Sequence, residues 1–168
     1  MDKNIDEIEF TVFDTETTGL DPQSGDRVIE IAALRFKGQE KIATFSSLIN
    51  SGYPVSEAAF NVNKISPEML KDAPLPQVVL PKFMDFLRGS CLCSYNAGFD
   101  LEFLNNELRI IGSPLLRDTQ VVDVLKMSKR LLPGLKRYAL WFVAESLGIK
   151  NTQLHRAFSD VELTLTVF

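Results

Sequence analysis

Two carboxylates stand at the end of an apolar segment near the start of the chain. The segment "FTVFDTETTGLDP" has the β-branched and aromatic residues of a buried strand, and it carries Asp14 and Glu16. Alternate side chains of a strand point to the same face, so both acids should share a face with Phe10 and Val12. The pattern therefore predicts two acids at the exit of a buried strand.

Two later segments with helical spacing each place an acid on their apolar side. Asp100 precedes Leu104 by four residues, and Asp160 precedes Leu163 by three. Moving an ionised carboxylate into a protein interior costs several kcal/mol, and clustered acids also repel one another. Four inward acids therefore indicate that cations bind between them.

The types of ligand atom favour Mg²⁺ or Mn²⁺ over zinc, because all four side chains offer oxygen. We predict that two divalent ions bind Asp14, Glu16, Asp100 and Asp160, with Asp14 bridging them. Such pairs of ions serve phosphoryl transfer by activating water and stabilising the leaving oxygen. His155, five residues before Asp160 and the only histidine, is the candidate general base.

The elements that must position these residues indicate an α/β fold. Three consecutive antiparallel strands are expected at 8–14, 27–36 and 41–49, followed by strands within "SCLCSYN" and "DTQVVDVL". Helices are expected within 56–62, 66–70, 74–89, 98–112, 135–149 and 155–168, with Ser66 as an N-cap and Pro67 following it. We expect one domain over 1–168; the last helix has no stop signal before Phe168, which leaves open whether the natural chain continues.

The composition narrows the class of protein. The formal charge of −4 does not favour a broad basic face for duplex DNA, although a short substrate needs only a local patch. Cys91 and Cys93 suit reduced, buried thiols, which indicates a cytoplasmic protein. No window reaches the ~18 apolar residues of a membrane span, and no signal peptide is evident, so no membrane association is expected.

The motifs "DTETTGLDP", "NAGFD" and "HRAFSD", in this order, resemble those of the DEDD 3′→5′ exonucleases in the branch with a histidine in the third motif. The resemblance covers residues 9–168 and is greatest to the proofreading exonucleases of bacterial DNA polymerase III, in their epsilon and PolC-type forms. It implies a ribonuclease H-like fold, with a five-stranded mixed sheet flanked by helices. It also implies the same four metal-binding acids and His155 as the base.

The same resemblance implies the substrate and the residues that contact it. Members release nucleoside 5′-monophosphates from 3′ ends of single-stranded or frayed DNA, in association with DNA polymerase III subunits. The residues implied around the terminal nucleotide are Thr15, Thr17, Thr18, Leu20, Asn96 and Phe99, with Leu20 packed under the base.

Two departures leave the choice between DNA and RNA open. Tyr95 stands where many members have histidine, and "VNKIS" stands where many have V-H-G-I-T. An exoribonuclease that trims small RNAs, a non-catalytic polymerase-binding module and an endonuclease of the wider ribonuclease H-like group are the alternatives. Glu30 and Asp123 are interpreted as structural acids, and the basic run 126–137 either guides a phosphate backbone or is a solvated helix face.

Overall fold

One mixed sheet of five strands forms the centre of the computed structural model, which describes residues 4–117, 119–150 and 155–168. The strands are β1 (Glu9–Thr17), β2 (Val28–Lys37), β3 (Glu40–Leu48), β4 (Cys91–Ser94) and β5 (Val121–Asp123), in the spatial order β3-β2-β1-β4-β5. The first three are antiparallel, whereas β4 runs parallel to β1 and β5 parallel to β4. This topology confirms the predicted sheet.

Seven α-helices accompany the sheet in the described residues: α1 (Glu57–Asn63), α2 (Pro67–Lys71), α3 (Pro76–Leu87), α4 (Ala97–Ile110), α5 (Val124–Leu131), α6 (Leu140–Ser146) and α7 (Ala157–Val167). Ser66 caps α2 by accepting a hydrogen bond from the amide of Met69, as predicted. None of the described helices has both the length and the apolar content needed to cross a bilayer.

The segment from β5 to α6 differs from the predicted elements, and the predicted helices do not include α5. The helix expected from residue 135 begins only at Leu140, because the backbone before it is held by tertiary contacts. The carbonyl of Tyr138 accepts the Tyr95 hydroxyl at 2.8 Å. The strand expected in "DTQVVDVL" ends at Asp123, whose side chain accepts the Lys126 amide at 3.1 Å and so starts α5.

Each face of the sheet is covered by its own hydrophobic cluster. On one face Phe13 packs with Phe83 of α3 and Leu104 of α4. On the other face Val12 packs with Val161 of α7. Because side chains alternate along β1, the acids that follow Val12 on its face point towards α7, and Thr15 points towards α4.

Candidate active site

Three acids meet where β1 approaches the first turn of α7. Asp14, Glu16 and Asp160 each offer a carboxylate oxygen, and these oxygens all lie within 4.8 Å of one another. Asp14 and Glu16 are brought together by the alternation of β1, and Asp160 lies in the first turn of α7. The structure therefore brings together three of the four acids that the sequence singled out.

Asp100 reaches the same end of β1 from α4, but its oxygens are engaged differently. Its side chain is buried, and Oδ1 accepts hydrogen bonds from the amide of Thr15 at 3.0 Å and from its hydroxyl at 2.8 Å. Oδ2 accepts the hydroxyl of Ser94 at 2.7 Å. Asp100 lies outside the three-acid cluster, and its role as a fourth ligand stays a prediction.

Burial is the main reason why the pKa values of these acids are high. It raises the pKa of Glu16 to about 8 and that of Asp160 to about 7, with repulsion between the acids adding to both. The pKa of Asp14 is raised well above its ordinary value by burial and then by Asp100. Burial also raises the pKa of Asp100 to about 6, against the lowering effect of its hydrogen bonds from Ser94 and Thr15.

The raised pKa values indicate that ionised carboxylates at this site need a compensating positive charge. Near neutral pH several of the carboxyls hold protons, and a divalent cation would take the place of those protons. Oxygen donors at this spacing suit a hard ion such as Mg²⁺ or Mn²⁺. The residues therefore fit the predicted kind of ion; the number of ions and the choice between Mg²⁺ and Mn²⁺ stay predictions.

His155 is exposed and lies just before α7. It directly precedes Arg156, the N-cap residue of α7, whose carbonyl accepts the amide of Asp160 at 3.1 Å. The residue that follows His155 is thus joined by a backbone hydrogen bond to one of the three cluster acids. Its role as the general base stays a prediction.

The three threonines implied around the nucleotide are buried, and each of their hydroxyls is engaged within the chain. Thr15 donates to Asp100, Thr17 donates to the carbonyl of Gly19 at 2.5 Å, and Thr18 donates to Asp26 at 3.0 Å. Thr17 and Thr18 therefore support the loop after β1, whereas Thr15 orients Asp100 of α4. Their contact with a nucleotide stays a prediction.

The other predicted substrate residues lie at the surface or half-buried. Leu20, which follows the threonines, is 84% exposed although it is apolar. Asn96 is exposed and starts α4 in the left-handed conformation, with φ of 69°, which asparagine tolerates better than most residues. Phe99 is half-buried and packs against Phe103 in a tilted arrangement, with ring centroids 4.8 Å apart. Leu20 and Asn96 are thus available to a ligand.

Two supporting residues were not singled out from the sequence. Ser94 fixes Asp100, and the signal was a hydroxyl at the end of an apolar strand, directly before "NAGFD". Asn63 is buried and donates to the carbonyl of Thr17 at 3.3 Å, and its side-chain hydrogen bond lowers the pKa of Glu16. Nothing in the sequence around Asn63 indicated that its side chain would make these hydrogen bonds.

The two acids interpreted as structural lie outside the cluster of three. Glu30 accepts hydrogen bonds from Arg156 and from the amide of Ala157. Asp123 caps α5. Both acids stabilise the start of a helix, in agreement with the structural interpretation.

Comparisons with known proteins identify the family of the chain. The family model RNase_T, described as exonuclease, matches residues 11–168. DNA polymerase III subunit epsilon of Rickettsia typhi is 37% identical over 165 residues, which cover 94% of this chain and 71% of that protein. DNA polymerase III PolC-type of Caldanaerobacter subterraneus subsp. tengcongensis is 38% identical over 160 residues, or 95% of this chain, but the chain spans only 11% of that polymerase.

Solved structures show the same fold. Exonuclease I superimposes with a TM-score of 0.82 at 21% identity, over 95% of this chain and 40% of that one. Exonuclease I of E. coli in complex with a dT13 oligonucleotide gives 0.83 at 19% identity, with 95% and 40% coverage. These structures share the fold, while the match of the family model and the epsilon relative show that the chain belongs to the exonuclease family.

Proposed function

We propose that this chain removes nucleoside 5′-monophosphates one at a time from the 3′ end of single-stranded or frayed DNA. The observation that carries the proposal is the cluster of Asp14, Glu16 and Asp160, whose carboxylate oxygens lie within 4.8 Å of one another beside the buried Asp100. Family membership supplies the class of reaction. The chain's own residues then have to bind a strand end and move one proton.

The acidic cluster holds the cations in this scheme. Two divalent ions bound by Asp14, Glu16, Asp100 and Asp160 would supply the charge that activates water and stabilises the leaving 3′-oxygen. Asp100 contributes through a carboxylate that Thr15 and Ser94 hold in one orientation. That rigidity keeps the reacting geometry fixed while the substrate changes.

His155 takes the proton from the attacking water. His155 is exposed and lies just before α7, whose first turn carries Asp160, and histidine is the most common general base in enzymes. The exposed position allows it to pass the proton on to solvent after each turn of the reaction. Loss of the imidazole should therefore lower kcat and leave the cluster able to bind cations.

Three residues near the ends of β1 and β4 could receive an unpaired terminal nucleotide. Leu20 offers an exposed apolar surface to the base, and Asn96 and Phe99 border the start of α4. A paired base is shielded by its partner and its neighbours, so frayed ends are preferred. The dT13 complex of E. coli exonuclease I, which shares the fold, supports a single-stranded DNA substrate.

The test is hydrolysis of a single-stranded DNA labelled at its 5′ end, resolved by length, with Mg²⁺ or Mn²⁺. A ladder that shortens from the 3′ end, and that EDTA abolishes, is expected. His155→Ala and Asp160→Asn should each lower the rate by roughly a hundredfold or more. Glu162→Gln is the matched control, because Glu162 lies on the same helix but is exposed and pairs with Lys41.

The alternatives predict different products. An exoribonuclease shortens a matched RNA faster than the DNA, because a 2′-OH contact distinguishes the two. An endonuclease cuts a circular single strand, which the proposed enzyme leaves intact. A non-catalytic module shortens neither substrate.

We also propose a biological role, a cellular location and a domain organisation for the chain. The relatives named for DNA polymerase III support proofreading or repair in association with subunits of such a polymerase. The free thiols of Cys91 and Cys93 support a cytoplasmic location. Hydrophobic clusters built on one sheet support a single exonuclease domain over residues 1–168.

A further inference from the structure

A buried acid in β2 makes three hydrogen bonds to the start of α7. Glu30 is 4% exposed, and its Oε1 accepts from the Nη2 of Arg156 at 2.6 Å. Its Oε2 accepts from the Nε of Arg156 at 3.0 Å and from the backbone amide of Ala157 at 3.1 Å. One carboxylate thus binds a guanidinium with both oxygens and also a helix amide.

Glu30 supplies the acceptor that the first residues of α7 lack. A helix begins with amides that have no partner within the helix, and an N-cap side chain usually accepts one of them. Arg156 occupies the N-cap position of α7, and its side chain makes no such bond. The carboxylate of Glu30 accepts the amide of Ala157 instead, and its negative charge suits the helix N-terminus.

Arg156 and Ala157, which donate hydrogen bonds to Glu30, are close in sequence to the residues proposed to act in the reaction. His155 directly precedes Arg156, and the Arg156 carbonyl accepts the amide of Asp160 at 3.1 Å. Glu30 also lies directly opposite Glu16 in the register of β1 and β2, on the same face of the sheet. The strand that carries Glu30 therefore gives Asp160 and His155 a fixed position relative to Glu16.

We infer that Glu30 and Arg156 are positioning residues for the active site, and that their ion pair sets where α7 presents Asp160 and His155 to β1. This inference rests on the proposed function. It goes beyond a structural role, because it predicts that loss of the pair impairs cation binding and turnover out of proportion to its effect on stability.

A second ion pair provides the control, because its carboxylate also accepts from one guanidinium with both oxygens and from a backbone amide. Glu107 of α4 accepts from the Nε and Nη2 of Arg27, both at 2.7 Å, and from the amide of Val28 at 3.1 Å. Glu107 is also buried, so Glu107→Gln removes equivalent bonds. This pair joins the start of β2 to α4, away from α7.

The test compares Glu30→Gln with Glu107→Gln in two measurements that do not require activity. Hydrogen exchange should show the first-turn amides of α7 opening roughly tenfold faster in Glu30→Gln than in Glu107→Gln. Calorimetric titration with Mn²⁺ alone should show affinity reduced about 10–100-fold in Glu30→Gln and unchanged in Glu107→Gln. Arg156→Lys, which keeps the charge but loses the paired contact, should fall between wild type and Glu30→Gln and is informative if Glu30→Gln does not fold.

Turnover of the 5′-labelled DNA gives the third measurement. Glu30→Gln should lower kcat by about the same factor as the Mn²⁺ affinity at limiting Mn²⁺, with KM for DNA changed less than roughly threefold. Equal effects of Glu30→Gln and Glu107→Gln on exchange at α7 and on Mn²⁺ affinity would overturn the inference. If wild type degrades no nucleic acid, the proposed function fails, while the exchange and Mn²⁺ results still decide the positioning role.

Discussion

The raised pKa values of the acidic cluster predict that the cation-free protein loses stability as the pH rises. The pKa of Glu16 is 4.5 ordinarily and about 8 in the folded chain. Between these values the folded state holds a proton that the unfolded chain has released, so the free energy of unfolding falls with increasing pH. The loss is complete above the folded pKa, and below 4.5 the effect disappears because both states are protonated.

The size of the effect follows from the width of that pH window. One proton changes the free energy of unfolding by ~1.4 kcal/mol per pH unit, so Glu16 alone accounts for ~2–3 kcal/mol between about pH 5.5 and 7.5. For a chain of this length that corresponds to a decrease in Tm of roughly 5–10 °C. Asp14 and Asp160, whose pKa values are also raised, act in the same direction.

The assay is thermal unfolding followed by circular dichroism in EDTA at these two pH values. Glu16→Gln removes the titrating group and should reduce the difference between the two pH values by ~2 kcal/mol, whereas the exposed Glu162→Gln should not. Mn²⁺ at about 100 times its dissociation constant should restore ~3 kcal/mol at the higher pH. A wild-type pH dependence that Glu16→Gln leaves unchanged would show that Glu16 does not hold the additional proton in the folded state.

Three further substitutions test the surroundings of the site. Gly19→Ala should cost ~1–3 kcal/mol, because the added Cβ would overlap the Asp26 carboxylate that supports the loop. Lys64→Gly should raise the free energy of unfolding by ~0.5–1 kcal/mol, because Lys64 ends α1 with a φ of 58°. Leu20→Ala should leave Tm unchanged, since Leu20 is 84% exposed, but raise KM for DNA roughly tenfold.

Each of these substitutions has a control elsewhere in the chain. Gly98→Ala, which places its Cβ in open space, should not lower Tm in denaturation melts. Lys71→Gly, at the helical end of α2, should lower stability where Lys64→Gly raises it. Ile42→Ala on the exposed face of β3 should leave KM unchanged in steady-state assays. An equal change in a substitution and its control would contradict the local explanation.

The sheet and the cluster were predictable because both depend on local periodicity. The alternation along β1 alone places Phe10, Val12, Asp14 and Glu16 on one face, and the structure keeps the first two under α7 and the last two beside Asp160. The apolar periodicity of α7 places Asp160 towards the sheet in the same way. At these positions the spacing of residues close in sequence was enough to predict the face on which each side chain lies.

The remaining details depend on contacts between residues far apart in sequence. The Tyr95 hydroxyl donates to the carbonyl of Tyr138 in the segment before Leu140, where the pattern had placed the start of the helix. Asp100 has the predicted inward direction, but Thr15 and Ser94 determine which of its oxygens are engaged. A single sequence contains no local signal for such partners.

We propose that the acidic cluster at the end of β1 directs hydrolysis of nucleic acid from the 3′ end. The most direct measurement uses one single-stranded DNA in two forms, blocked against hydrolysis at either the 5′ or the 3′ end, with Mn²⁺. We expect that the 5′-blocked strand is shortened with release of nucleoside 5′-monophosphates, that the 3′-blocked strand persists, and that Asp14→Asn abolishes the shortening. Shortening of the 3′-blocked strand, or equal rates for Asp14→Asn and wild type, would contradict it.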